Sequence, residues 1–190
     1  MFDHRSLEEA LAAVGDLLAD RGQRIEVVAI GGGGLLLLGL IERVTKDLDL
    51  VALVAGDKLI KPVPLPAALD EAANDVAKLM KLSRGWLNAG PASLLDLGLP
   101  AGFLERTVRQ DYDGLVVHLA SRYDQVCFKL YAAADDSPRG KHFADLKRLV
   151  PAPEELRRAA AWAMTHDDSE GFRQILAQVL AALGVEPGDA

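Results

Sequence analysis

Two aspartates separated by one residue, Asp47 and Asp49, follow four consecutive glycines, Gly31 to Gly34, within IGGGGLLLLGLIERVTKDLDLV (Ile30 to Val51). Side chains alternate along a strand, so DLDLVALV (Asp47 to Val54) sends both acids to one face and Leu48 and Leu50 to the other. Two carboxylates on one face repel unless a cation lies between them, and hard oxygen ligands suit Mg²⁺ held jointly with a phosphate. The glycines supply the complementary half: without side chains, backbone N–H groups at a helix start can approach an anion closely. RIEVVAI (Arg24 to Ile30) reads as the strand before them, so the order is strand, glycine turn, short helix, strand.

Spacing excludes two other phosphate loops. A Walker A loop needs Lys after its last glycine, and here Gly34 is followed five residues on by Gly39 and then Leu40. The dinucleotide fingerprint needs a third glycine at position 36 or 37, and both are leucine. A plain tight turn, with Asp47 as a solvated strand-end residue, is the bland alternative. A membrane span is excluded by length: the uncharged run from Val27 to Ile41 has 15 residues and five glycines, short of the roughly 20 required.

Gly31 and Gly32 followed by Arg43, Thr45, Asp47 and Asp49 resemble the pattern of the DNA polymerase β nucleotidyltransferase superfamily. They are similar in particular to the AbiEii/MenT-type toxin nucleotidyltransferases, whose signature runs GG-x-A-L and then R-x-T-x-D-x-D. Lys129 in KLYAAAD resembles the K-L-x-A motif of those enzymes, and Arg139, Lys141, Asp145 and Leu146 occupy the stretch where they carry a basic residue and an Asp-Leu pair. The all-glycine loop departs from the usual polar residue and Ala. The strand LVVHL (Leu115 to Leu119) carries His118 where many members place a third carboxylate, with Asp111, Asp113 and Asp124 nearby.

The resemblance implies transfer of a nucleoside monophosphate from a nucleoside triphosphate to an acceptor hydroxyl. Asp47 and Asp49 would bind Mg²⁺, Gly31, Gly32 and Gly33 with Arg43 and Thr45 would bind the nucleotide, and Lys129 and Asp145 would join the aspartates in catalysis. It also implies a tRNA 3′ end as acceptor and a cognate antitoxin as partner, while a lone cysteine, Cys127, is what a reducing, cytoplasmic setting leads one to expect. Two alternatives stay open: transfer to a protein or small molecule, and a regulatory or antitoxin-like binding module whose site has decayed.

The elements that must position these residues follow from periodicity. SLEE at Ser6 to Glu9 has a capping-box pattern opening an amphipathic helix that Gly22 stops. KPVPLP is a stiff extended connection, and Ala67 to Leu82 is a helix. Trp86, Leu87, Asn88 and Gly98-Leu99-Pro100 lie in a Gly/Pro-rich stretch that would wall a cleft or anchor a loop. Ser121 to Asp124 opens a helix through Tyr131 or beyond. Glu154 to Met164 and Glu170 to Leu183 are closing helices, the second opened by Asp167. The fold class that the resemblance implies is α/β (α+β): a nucleotidyltransferase core with a short mixed sheet flanked by helices over residues 1–120, and a helical C-terminal part over 121–190.

Composition agrees with an ordinary globular chain of 190 residues, half hydrophobic and a quarter charged. The net charge of −7 speaks against a generic nucleic-acid coat, but residues 101–150 hold eight Lys/Arg against seven Asp/Glu, which leaves −8 on the remainder. The only cysteine, Cys127, falls in an apolar helical pattern and cannot form an internal disulfide. His4, His118, His142 and His166 show no zinc-ligand spacing. No N-terminal stretch reads as a secretion signal.

Overall fold

The computed structural model describes residues 1–135 and 140–185 and divides the chain into two compact units, Met1–Ala120 and Ser121–Ala190. Arg139, and the tail from 186 onward, lie outside the described residues.

The first unit is a six-stranded mixed sheet with helices. Its elements are α1 (His4–Asp20), β1 (Ile25–Ile30), α2 (Gly31–Leu37), β2 (Leu48–Ala55), β3 (Lys58–Ile60), α3 (Ala67–Met80), β4 (Leu87–Asn88), α4 (Leu94–Leu97), β5 (Val108–Tyr112) and β6 (Leu115–Leu119). The strand order is β3-β2-β1-β6-β5, with β4 also pairing β2. β1 runs antiparallel to β2 and parallel to β6.

α1 forms because Leu7, Ala10, Leu11, Val14 and Leu18 recur at helical spacing and are fully buried. Burying each large side chain of that stripe contributes about 1.5–3 kcal/mol. The cap is one turn earlier than the SLEE pattern predicts: Asp3 is the N-cap and accepts from Ser6 N, while Ser6 takes the third helical position. Two glycines let this helix lie directly on the β5–β6 hairpin. A Cβ on Gly15 would fall 1.7 Å from the Tyr112 carbonyl oxygen, and one on Gly114 would fall 2.4 Å from Ala19 N.

Sequence reading misses β3, β4 and β5. β5 is VRQDY, an exposed edge strand whose alternation is masked by charge. Its turn, Asp113-Gly114 with Asp113 at φ 55°, is nonetheless a hairpin signal. β4 is only two residues long and is fixed by its neighbour Trp86, which is buried, donates from Nε1 to the Ala73 carbonyl at 3.0 Å and packs on Phe2 at 5.3 Å between ring centroids.

The second unit is helical: α5 (Arg122–Asp135), α6 (Lys141–Arg148), α7 (Pro153–Ala163) and α8 (Glu170–Ala182). α5 is the central helix and packs against the other three. Its start matches the sequence expectation, with Ser121 Oγ donating to Asp124 Oδ2 at 2.6 Å. α8 is capped by Ser169, which accepts from Phe172 N, while Asp167 accepts from Ser169 N just upstream. Phe128, Tyr131, Trp162, His166 and Phe172 form an aromatic cluster, and Cys127 is buried and in no disulfide. No helix of the described residues is long and apolar enough to cross a membrane.

Candidate active site

The glycine turn and the acid-bearing run are packed onto one another residue by residue. All four glycines belong to α2, which leaves β1 at Ile30 through Gly31 at φ 75°. A Cβ on Gly31 would lie 2.7 Å from Asp49 Oδ2. One on Gly32 would meet Thr45 Oγ1 at 3.2 Å and the Arg43 guanidinium at 3.3 Å. One on Gly33 would meet Leu48 and the Asp47 carbonyl, both within 2.8 Å. Gly33 is thus needed for contact, because a side chain there would run into the backbone of Asp47 and Leu48, whereas at Gly31 and Gly32 it would push against the ends of the Asp49, Thr45 and Arg43 side chains.

Gly31 and Gly32 stay half-buried, whereas Gly33 and Gly34 are closed off. Of the three glycines expected to bind nucleotide, Gly33 therefore serves packing. Thr45 is buried, pairs with Phe2 through two backbone hydrogen bonds, and donates from Oγ1 to the Asp47 carbonyl at 3.2 Å.

Asp49 lies on β2, while Asp47 immediately precedes that strand. Both acids are half-buried, and Leu48 and Leu50 between and beyond them are fully buried. Asp49 faces Ile30 across β1 and Asn88 across β4. Asn88 Nδ2 donates to Asp49 Oδ1 at 3.2 Å. The pairing of β1 and β2 skips Val51, a bulge two residues after Asp49.

His118 shares this face of the sheet. It pairs with Val28, two residues before Ile30 on β1, and residues two apart on a strand point the same way. It is not level with Asp49, however. That place falls to Ala120, whose N–H donates to the Ala29 carbonyl and whose side chain is small and buried. His118 Nε2 lies 2.8 Å from Glu26 Oε2, and its Nδ1 lies 3.3 Å from Thr107 Oγ1.

Two of the three acids considered as stand-ins for a third carboxylate, Asp111 and Asp124, have their carboxyl groups engaged elsewhere. Asp111, on β5, accepts from Arg24 at 2.7 Å and pairs with Arg109 at 2.9 Å; Arg24 first and Arg109 next hold its carboxyl below its ordinary value. The Asp113 carbonyl accepts from Arg24, and Asp124 is the partner of Ser121.

Among the described residues no three His, Cys, Asp or Glu side chains are grouped to hold a metal. Two half-buried carboxylates nevertheless fit a hard divalent cation that completes its shell with water and substrate phosphate. Lys129 and Asp145 belong to the second unit and pair with each other, Nζ to Oδ2, at 2.9 Å. A groove of about 650 Å³, lined by Glu71, Asn74, Asp75, Lys78, Leu82 and Arg84, lies along α3 and includes none of the expected site residues.

A mixed sheet whose central strand leads into a glycine-opened helix, with Asp49 of the next strand laid over the first of those glycines, defines an α/β protein with an acid beside its glycine turn. The chain belongs to DUF6036, a family described as nucleotidyltransferases of unknown function, whose sequence profile matches residues 6–139. That membership supports nucleotidyl transfer as the general activity. No curated protein and no solved structure matches the chain.

Proposed function

We propose that this protein transfers a nucleoside monophosphate from a nucleoside triphosphate to a hydroxyl at the 3′ end of tRNA, in the manner of the AbiEii/MenT-type toxins that its motifs resemble. The observation that carries the transfer chemistry is the packing of Asp49 over Gly31 and of Arg43 and Thr45 over Gly32. Acid, cation and half-buried glycine backbone thus meet around one turn, as a triphosphate with its counter-ion requires.

In this scheme the acceptor oxygen bonds to the α-phosphorus, the bond to the bridging oxygen of the β-phosphate breaks, and pyrophosphate and a proton leave. Asp47 and Asp49 would hold Mg²⁺, which when bound neutralises charge developing on the phosphoryl oxygens. The half-buried backbone of Gly31 and Gly32 receives phosphate oxygens, and Arg43 braces the turn and adds a positive charge beside it. A tRNA target places the protein in the cytoplasm, and a toxin role calls for a cognate antitoxin.

A second function, binding without catalysis, draws on Ala120, which stands where a third carboxylate would be level with Asp49. One assay separates these possibilities. The protein is incubated with each labelled nucleoside triphosphate, Mg²⁺ and total tRNA, with protein-only controls. Label on RNA is the expected result; label on protein redirects the acceptor, and no label leaves the binding module.

A further inference from the structure

Resting on the transfer activity proposed above, we propose that Asn88 is a positioning residue: it fixes the plane of the Asp49 carboxylate, so that one oxygen faces the glycine turn, and so sets the site's affinity for a divalent cation. β4 is two residues long, yet it is held firmly. Leu48 N donates to the Trp86 carbonyl at 2.6 Å, and the register sets Asn88 directly beside Asp49.

The Asn88 amide is itself oriented. Its Oδ1 accepts from Gly90 N at 2.8 Å, and the reversed amide would set an NH₂ group against that N–H. The Nδ2 end is therefore the one that meets Asp49 Oδ1, leaving Oδ2 as the oxygen 2.7 Å from the position a Gly31 Cβ would take. An amide can hold a carboxylate in this way without adding charge. Partners that orient a ligating carboxylate in this manner are commonly worth 10–100-fold in metal affinity.

The test is a Mn²⁺ titration of the whole chain, reading free Mn²⁺ by electron paramagnetic resonance, for wild type, Asn88→Ala, Asn88→Leu, Asp49→Ala and Asn88→Ala/Asp49→Ala. Asn88→Leu keeps nearly the side-chain shape without the donor, so it stands in if the alanine variant fails to fold. The expected result is roughly tenfold weaker Mn²⁺ binding in both Asn88 variants, with melting temperatures close to wild type and a double variant no weaker than Asp49→Ala alone. Binding within twofold of wild type in a folded Asn88 variant overturns the inference and leaves the transfer activity standing. A wild-type chain that binds no Mn²⁺ overturns it as well, and the labelled-nucleotide assay then shows whether the proposed activity falls with it.

Discussion

Lys129 and Asp145 form a 2.9 Å ion pair between α5 and α6 with side chains only 5% and 1% exposed. Removing one member of such a pair strands the other charge, whereas replacing both with apolar groups of similar size is often neutral. Asp145→Ala is expected to cost about 3–5 kcal/mol, and Lys129→Met/Asp145→Leu should recover most of it. Urea denaturation of the three proteins measures this, and an Asp145→Ala variant as stable as wild type would contradict it. The double variant also separates stability from chemistry. If Lys129 takes part in catalysis, as the resemblance implies, that variant should be folded and transfer nucleotide at least roughly a hundredfold more slowly.

Among the described residues no hydrogen bond or ion pair engages the Asp47 carboxylate. Its removal should therefore leave the fold intact and act on chemistry alone. Asp47→Ala is expected to lower the transfer rate by several powers of ten, since positioning and electrostatics carry most of phosphoryl-group catalysis. Single-turnover incorporation of label, with a melting curve alongside, checks this; a mutant working at half the wild-type rate would refute it.

Gly31 and Gly39 form a matched pair for separating strain from contact. Both have positive φ, 75° and 67°, but a Cβ on Gly31 collides with Asp49 while one on Gly39 meets nothing within 4 Å. Each alanine substitution should cost about 1–2 kcal/mol from the left-handed backbone. Only Gly31→Ala should also abolish transfer, because it displaces the acid. Equal activity of the two variants would show that the Asp49 contact is dispensable.

Burial pushes the Tyr112 hydroxyl up to about 12, and Glu8 adds to the shift. The neutral phenol is thus favoured in the folded state. Its contribution to stability is complete below the ordinary tyrosine value near 10 and is lost as pH rises from there toward 12. Wild type and Tyr112→Phe should respond alike to pH up to about 9, after which wild type loses stability faster. Denaturation midpoints between pH 8 and 12 test the sign, and parallel curves would contradict it.

Much of the first unit is legible in the sequence because its strands are apolar and β-branched. RIEVVAI and LVVHL become β1 and β6 almost to the residue, and DLDLVALV becomes β2. The exceptions have physical causes. β5 reads as a charged loop because its side chains face water at a sheet edge, and β4 is too short to carry any period.

The local run from Arg43 to Asp49 announced an acid-bearing strand, but its fit onto individual glycines depends on the tight backbone approach of α2 to β2. No spacing rule encodes that approach. Asn88 was visible only as part of a Trp-Leu-Asn stretch; its bond to Asp49 comes from parallel pairing across 39 residues of chain. The Ser6 cap was misplaced because Asp3 offers the same chemistry one turn earlier.

The central place of β1 has a consequence for biosynthesis. Its β2 neighbour follows soon in the chain, but its β6 neighbour lies about 90 residues downstream, and such distant pairings form late. Until residue 119 has left the ribosome, one edge of an apolar strand has nothing to bond with. A nascent chain stalled in that interval offers an open strand edge, and is a natural client for chaperones or a seed for aggregation.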